Sequence, residues 1–273
     1  MFSLKMSILT IGFLLIGFRG IPAAQLRLYD DFSANSIDPD KWHGVEGSGG
    51  QSLSPNTEIT RRITANQLEL HLTSYGATTS NSGTGLAGNN RLRLNDPNAV
   101  TTIQVDMVVM ESLRQDCPAN GTPTRTRTMV NGAFFNDGAS TGPADRTGDV
   151  VARIDKQADR AGHIIAAVIL RCEDPECDTT STLNFRIFAR HWTIGASDTL
   201  KLEWQPNAHQ FLAAVNPGST REEIAILPYA VSDLNPAAFA FKELRIQNQV
   251  ANCTSERMKG SIRARFNNVM VNS

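Results

Sequence analysis

Apolar and polar residues alternate with a period of two through much of this 273-residue chain, of which 41% is hydrophobic. Neighbouring side chains of a β-strand point to opposite faces, so each alternating segment predicts a strand with one buried face. In the segment 183–189, the pattern assigns Leu183, Phe185 and Ile187 to the buried face. The stretch HIIAAVIL at 163–170 is apolar throughout and predicts a central strand covered on both faces. The same alternation occurs in the segments 68–72, 103–109, 200–204 and 262–266.

Short segments rich in glycine, asparagine, serine and proline separate the predicted strands and are typical of turns. No long helical pattern competes with the strands, and neither an internal repeat nor a shift of composition marks a domain boundary. We therefore predict an all-β chain, in which a dozen or so strands form one antiparallel, two-sheet β-sandwich domain over residues 25–273.

Residues 1–24 differ from the rest of the chain. A lysine precedes an apolar run at 8–18, and two alanines close the segment. This is the layout of a secretory signal peptide, and the apolar run is shorter than a membrane-spanning helix. We predict a secreted protein, periplasmic, cell-surface or extracellular, with no membrane span in the mature chain. An uncleaved N-terminal anchor is the alternative.

Four cysteines occur in the chain, and an oxidising compartment would let them form disulfides. Only four residues separate Cys172 from Cys177, so we pair these two across a tight turn and pair Cys117 with Cys253 by elimination. The other two pairings of four cysteines remain open. A zinc site is the competing interpretation, but the cysteine spacing is not that of a zinc ribbon and the five histidines are scattered singly.

The formal net charge of −1 indicates no basic surface for nucleic acid, and we expect no nucleic-acid partner. Two arginines in TRTRT at 124–128 form a local basic pair. We interpret this segment as a solvated strand edge or loop rather than a phosphate-binding patch. The oligomeric state leaves no sign in the sequence.

Four motifs in the predicted strands follow the order found in a known superfamily. They are LYDDFSANSIDPDKW at 28–42, NQLELHL at 66–72, TLKLEWQPNAHQFLAAVN at 199–216 and GSIRARFNNVMVN at 260–272. Together they resemble the concanavalin A-like lectins and glucanases, which include laminin G-like domains and family 16 glycoside hydrolases. The resemblance implies a jelly-roll β-sandwich in which Trp42 and Trp204 are buried. Such a fold hosts many functions, so the resemblance implies little about activity.

GDVVARID at 148–155 falls where the family 16 hydrolases carry three acidic residues at alternate positions of one strand. By this resemblance, Asp149 stands in the place of the nucleophile, Val151 in that of the assisting aspartate and Arg153 in that of the acid/base. Asp155 shares their face, but six residues, or about 20 Å, separate it from Asp149. An arginine stays protonated and cannot replace a general acid. We therefore expect a strand that lacks the hydrolase's acidic triad and carries no catalytic residue.

A binding role remains for this strand, because sugar sites combine aromatic faces with planar polar groups. Suitable side chains occur on the strand, in the loop before it and at the end of the segment FRIFARHW. The candidate ligand-binding residues are Asp149, Arg153, Asp155, Asn136, Asp137, His191 and Trp192. The competing interpretations are a tryptophan packed under a loop for Trp192, and an exposed ion pair for Arg153 with Asp155.

The leading hypothesis is a secreted, non-catalytic module that binds an oligo- or polysaccharide or another surface. One alternative is a glycoside hydrolase or polysaccharide lyase with a displaced active site. The other is a structural or partner-binding extracellular domain without sugar specificity. The leading hypothesis requires no cofactor, and a structural calcium ion held by backbone oxygens would leave no signature in the sequence.

Overall fold

A computed structural model describes residues 25–44, 57–85 and 88–272, so the predicted signal peptide at 1–24 lies outside the described residues. Within these ranges fifteen β-strands form, and the one helical element is a 3-10 turn at Pro206–Ala208. No helix of the described ranges has the length and apolar character needed to cross a membrane. The strands are β1 Leu26–Asp30, β2 Trp42–His43, β3 Thr57–Thr64, β4 Gln67–Tyr75, β5 Gly88–Leu94, β6 Thr102–Arg114, β7 Arg125–Asn136, β8 Asp149–Asp159, β9 Gly162–Cys172, β10 Thr180–Ile187, β11 Ser197–Gln205, β12 Gln210–Val215, β13 Glu223–Pro228, β14 Asn235–Gln249 and β15 Lys259–Asn272.

The strands form two antiparallel sheets, which confirms the predicted all-β, two-sheet sandwich. The eight-stranded sheet has the order β13-β12-β11-β6-β15-β4-β3, with β1 paired to β15. The seven-stranded sheet has the order β10-β9-β8-β7-β14-β5-β2. Strands distant in sequence therefore lie side by side, as when the last strand β15 pairs with both β4 and β6.

The core lies between the two sheets and is filled by one face of each. Leu68 and Leu70 of β4 are fully buried, and so are positions 103, 105, 107 and 109 of β6 and 262, 264 and 266 of β15, as the alternating pattern predicts. Strand β9 is buried on both faces over 165–169, also as predicted. It lies second from the edge of its sheet, however, and not at the centre.

The edge strand β10 departs from the prediction. Phe185 and Ile187 are 47% and 55% exposed, although the alternating pattern assigns them to the core. The pairing of β10 with β9 shifts between Thr182 and Asn184. A shift of one residue transfers the side chains that follow to the other face of the sheet. Leu183 consequently packs against the core, while Phe185 and Ile187 face away from it.

The first of the four motifs builds a buried cluster around Trp42. Asp30 accepts hydrogen bonds from the indole Nε1 of Trp42 at 2.6 Å and from the backbone N–H of Phe32 at 2.9 Å. Phe32 stacks on the indole with ring centroids 5.6 Å apart, and Tyr29 meets it edge-on at 5.2 Å. The aspartate satisfies an indole N–H that burial would otherwise leave unpaired, so the motif is structural. Trp42 is buried as expected, whereas Trp204 is only partly buried.

Both predicted disulfides are present. Cys117 after β6 pairs with Cys253 in the loop between β14 and β15, with their Cα atoms 5.4 Å apart. Cys172 at the end of β9 pairs with Cys177 across a turn, with a Cα separation of 4.7 Å. The first bridge joins segments 136 residues apart and the second closes a local loop.

Candidate functional site

Strand β8 is the third strand from one edge of the seven-stranded sheet and contains most of the GDVVARID segment. Val150, Ala152 and Ile154 belong to the core between the sheets. Alternate residues of a strand share a face, so Arg153 and Asp155 point away from that core. We call the side of the seven-stranded sheet that they occupy the outer face.

Strand register sets two rows of residues side by side across the outer face. The first row is Phe185, Val168, Arg153, Asn131, Glu243, Arg93 and His43. The second row is Ile187, Ala166, Asp155, Met129, Arg245 and Arg91. In both rows apolar residues occupy β9 and β10, and most of the charged and amide side chains lie over the strands from β8 to β5.

Glu243 is the centre of the polar part of the outer face, and its side chain is fully buried among its partners. Arg93 Nε and Asn131 Nδ2 each donate a hydrogen bond to its carboxylate at 3.0 Å. Nitrogens of Arg245 and Arg91 lie 3.5 and 3.8 Å from the same carboxylate. One carboxylate thus holds three guanidinium groups and an amide in fixed positions.

Arg153 and Asp155 form an ion pair, with Nε 2.9 Å from Oδ2. Asp155 is buried, and its other oxygen has no hydrogen-bond partner among the described residues. Arg127, one row further along β7, donates to Gln157 at 2.9 Å and to Gln247 at 3.2 Å. Arg127 belongs to TRTRT, which is therefore not a solvated edge or loop as predicted. It lies in the middle strand of the sheet, where these amides cover its guanidinium group.

Five arginines of the outer face form a group that we call the arginine cluster. Its members are Arg91, Arg93, Arg127, Arg153 and Arg245. Arg127 is buried, and each of the other four keeps 17–23% of its side chain exposed. Burial, reinforced by the neighbouring arginines, lowers the pKa of Arg91 and of Arg127 to about 10. Both side chains remain protonated at neutral pH, so the cluster is a concentrated positive charge.

Aromatic side chains lie at both ends of the polar region. Phe239 and Phe241 make cation–π contacts with Arg93, whose guanidinium carbon is 5.2 and 5.3 Å from the two ring centroids. Together with His43 they line an open cleft of about 480 Å³. Phe239 is 42% exposed there, and Phe185 is exposed at the opposite edge of the sheet. The outer face therefore combines planar polar groups with accessible rings.

Asp149 is placed apart from this surface. Its fully buried carboxylate accepts hydrogen bonds from Asn136 Nδ2 at 2.9 Å and from the backbone N–H groups of Ala238 and Phe239 at 2.7 and 3.1 Å. These bonds tie the start of β8 to β14, at the irregular part of the β14–β7 pairing. Asp149 has a structural role here and presents no oxygen at the surface.

Asn136 and Asp137 organise the loop that leads into β8. The Asn136 amide donates to the carbonyl of Thr147 at 2.9 Å as well as to Asp149, and its oxygen accepts the backbone N–H of Gly138 at 2.8 Å. Asp137 forms an ion pair with Arg171 on β9. Asn136 also lines a separate cleft of about 410 Å³ at this end of the sheet.

Trp192 and His191 lie at the other end of β8. Trp192 is only 2% exposed, stacks on the ring of His163 with centroids 4.0 Å apart and donates its Nε1 to the carbonyl of Gln157 at 3.0 Å. It belongs to the buried core cluster, although with the exposed His191 it borders a cleft of about 500 Å³. Gln157 is eight residues from Asp149, roughly 26 Å along the strand. The predicted ligand-binding residues are therefore spread over three places.

Asp155 and Glu243 are the carboxylates of the two rows. Strand β7 lies between their strands, which sets those strands about 10 Å apart. Both carboxylates are engaged by guanidinium groups, Asp155 by Arg153 at 2.9 Å and Glu243 by Arg93 at 3.0 Å. Among the described residues, no group of three or more histidine, cysteine, aspartate or glutamate side chains is arranged to hold a metal ion.

The sequence-based prediction missed most of the arginine cluster and the residues that position it. A signal was present in the spacing. In RLRL at 91–94 and in KELRIQNQ at 242–249, the positions between core leucines and isoleucines hold arginine, glutamate or an amide. Such residues on the non-core face of neighbouring strands indicate a polar surface, but only the strand order shows that β5, β14, β7 and β8 are neighbours.

Comparison with known proteins gives matches among solved structures only, since no family model and no curated protein matches the sequence. A prokaryotic β-1,3-1,4-glucanase (lichenase) from a mouse hindgut metagenome is 11% identical, over 89% of this chain and 98% of its own, with a TM-score of 0.43. Lectin II from Ulex europaeus is 11% identical, over 77% of this chain and 91% of its own, with a TM-score of 0.34. The acidic lectin of winged bean is 10% identical, over 92% of this chain and all of its own, with a TM-score of 0.41. The fold class itself rests on the two antiparallel sheets of this chain.

Proposed function

We propose that the protein is a secreted, non-catalytic β-sandwich module that binds an oligo- or polysaccharide on its outer face. The observation that supports this is the juxtaposition of guanidinium, amide and carboxylate groups with exposed phenyl rings on one surface. Sugars offer hydroxyls to planar polar groups and the apolar faces of their rings to aromatic side chains. The outer face supplies both kinds of partner.

The first row gives the proposed site its extent. From β10 to β5 it crosses five strand spacings, or about 24 Å, with Phe185 at one end and Arg93 beside Phe239 at the other. Asn131 and Glu243 lie in between and are held in place by each other. A site of this length and rigidity suits an extended chain of sugars more than a single ring.

Two further features support the remaining parts of the proposal. The signal-peptide pattern of residues 1–24 and the two disulfides are typical of an exported chain. The carboxylates of the two rows are each bound to an arginine. The outer face therefore holds groups suited to binding rather than to bond cleavage.

A glycan-array screen of residues 25–273, combined with an assay for newly released reducing ends, tests the function. We expect binding to at least one class of glycan without release of reducing ends. The substitution Phe239→Ala should weaken that binding about 10-fold, which corresponds to about 1.4 kcal/mol of lost stacking. Release of reducing ends would instead support a hydrolase.

Leu234→Ala is the matched control, because Leu234 is 88% exposed, precedes β14 and is a member of neither row. This variant should bind like the unmodified chain. Equal loss of binding in both variants would argue against the outer face as the site. No binding to any glycan would leave the structural or partner-binding alternative.

A further inference from the structure

We propose that the outer face selects an acidic polysaccharide, one that carries carboxylate or sulfate groups on successive sugar rings. The inference rests on the proposed glycan-binding function and names the class of glycan. Its basis is the charge of the surface. The two rows carry four arginines, Arg91, Arg93, Arg153 and Arg245, against two carboxylates, Asp155 and Glu243, and Arg127 lies in the next row along β7.

This excess of positive charge is local. The whole chain has a formal net charge of −1, so the rest of the molecule is acidic while the outer face is basic. A positively charged surface on an otherwise negatively charged protein attracts anionic ligands and gives no such advantage to neutral ones. A module for neutral sugars would need none of this separation.

The hydrogen-bonding capacity of the cluster also exceeds what the protein uses. A guanidinium group has five N–H donors, whereas a carboxylate accepts about four hydrogen bonds. The carboxylate of Glu243 is within ion-pairing distance of Arg91, Arg93 and Arg245 and also accepts a hydrogen bond from Asn131. Donors therefore remain for an anion, and the four partly exposed arginines can present them at the surface. Arginine is well suited to this task because its planar fork matches carboxylate and sulfate-like oxyanions.

The arginines also raise one another's free energy in the unliganded protein. Burial lowers the pKa of Arg245, and the charges of Arg153 and Arg93 lower it further, beyond what Glu243 offsets. A bound anion would relieve this repulsion while occupying a partly desolvated site, where electrostatic attraction is stronger than in bulk water. Anion binding is thus favoured by the same packing that holds the cluster together.

The spacing of the charges fits a polymer better than a small anion. Arg93 and Arg153 lie in the same row on β5 and β8, three strand spacings or about 14 Å apart. Arg91 is two residues from Arg93 along β5, about 7 Å away. A single carboxylate cannot reach all of these groups. A chain with a charge on each of several rings can engage them in turn.

Isothermal titration of residues 25–273 with three polysaccharides tests the inference. Polygalacturonate provides carboxylates, a carrageenan provides sulfates and a mixed-linkage β-glucan provides neither. We expect at least 10-fold tighter binding of one acidic polymer than of the glucan, and a further 10-fold weakening when NaCl is raised from about 50 to 300 mM, because exposed charges are screened. Which acidic polymer binds identifies the charged group.

Two variants locate the interaction. Arg93→Gln removes one of the three guanidinium groups on Glu243 and should weaken binding of the acidic polymer at least 10-fold. Arg93→Lys keeps the positive charge and should retain part of the affinity. Arg221→Gln, at an exposed arginine before β13 on the other sheet, should change nothing. Thermal unfolding of each variant separates a folding defect from lost binding.

The outcomes are distinguishable. Binding of the glucan as tightly as the acidic polymers, without salt dependence, would overturn the inference and leave the proposed function in place. Binding of none of the three, together with a negative glycan array, would overturn both. Equally tight binding of single-stranded DNA would show a site for polyanions of any kind and would also overturn the selection of a glycan.

Discussion

Lys242 is buried between the sheets, on the core side of the strand that carries Glu243 on the outer face. Its ammonium group donates to the carbonyl of Ala133 at 2.7 Å and lies 4.1 Å from the ring centroid of Phe134. Among the described residues no carboxylate lies within ion-pairing distance of it. Gly132 opposite leaves room for its stem, since a Cβ there would lie 2.4 Å from Lys242 Cδ. Burial accordingly lowers the pKa of Lys242 to about 7.

This lysine should make stability depend on pH in the alkaline range. Between pH 7 and its ordinary pKa of 10.5, the unfolded chain holds a proton that the folded protein has released. Stability therefore rises with pH across this window, by roughly 4 kcal/mol at about 1.4 kcal/mol per pKa unit. Lys242→Met should remove the rise and should be the more stable protein at pH 6. Urea unfolding at pH 6, 8 and 10 measures the effect.

Lys259→Met provides the control, because Lys259 is partly exposed at the start of β15. Its unfolding free energy should follow that of the unmodified chain at all three pH values. A Lys242→Met profile parallel to that of the unmodified chain would show that the buried amine stays charged throughout.

The two disulfides should differ in what they contribute at the level of the elements they join. The Cys117–Cys253 bridge closes a loop of 136 residues, while Cys172–Cys177 closes one of five. In the chain-entropy model these loops correspond to about 5 and about 2 kcal/mol of stability. Replacing Cys117 and Cys253 together by alanine should therefore lower the urea midpoint much more than replacing Cys172 and Cys177.

The two double variants serve as controls for each other, because each removes one disulfide by replacing two cysteines with alanine. Both should keep the far-ultraviolet circular dichroism of an all-β protein. Equal losses of stability would mean that the unfolded chain is already compact around the long loop, so that the bridge restricts it little.

Elements with strict alternation could be predicted from the sequence, and elements shaped by a register shift could not. The segments 103–109 and 262–266 pack as expected because their apolar residues fit one face of a strand. In β10 the same pattern fails at Phe185, since the shift near Thr182 depends on how β10 pairs with β9. The motif at 28–42 predicts the fold and the burial of Trp42, but the hydrogen bond from Trp42 to Asp30 is evident only in the structure.

At the scale of the whole molecule, the candidate site also depends on which strands are neighbours, and local sequence patterns do not show this. Arg153 and Asp155 were accessible to sequence reasoning because they lie two residues apart on one strand. Their link to Glu243 crosses β7 and joins strands nearly 90 residues apart in sequence, which no local pattern encodes. Asp149 shows the same dependence: alternation gives its face, but its burial under the backbone of Ala238 and Phe239 depends on the position of β14.

Acid should destabilise the sandwich through carboxylates that connect its strands. Burial alone would raise the pKa of Asp198 and of Glu69, but hydrogen bonds from cationic partners outweigh it and lower both values. Lys156 of the other sheet lies 2.9 Å from Asp198, so this pair joins the two sheets. Arg62 and Arg265, on the two strands beside β4, lie 2.6 and 2.9 Å from Glu69.

The direction of the pH effect follows from the lowered pKa values. The stability from these pairs is present above the ordinary carboxyl pKa values of 3.8 and 4.5 and is lost as pH falls through the lower, native ones. Glu69→Gln should destabilise the protein by about 1–3 kcal/mol at pH 6. It should also give a shallower loss of stability between pH 5 and pH 3, because one of the titrating groups is gone. Glu222→Gln, at an exposed site before β13, should leave both the level and the slope unchanged. Urea unfolding between pH 5 and pH 3 measures the slope. If the unfolding free energy of Glu69→Gln falls as steeply as that of the unmodified chain, other carboxylates cause the acid sensitivity.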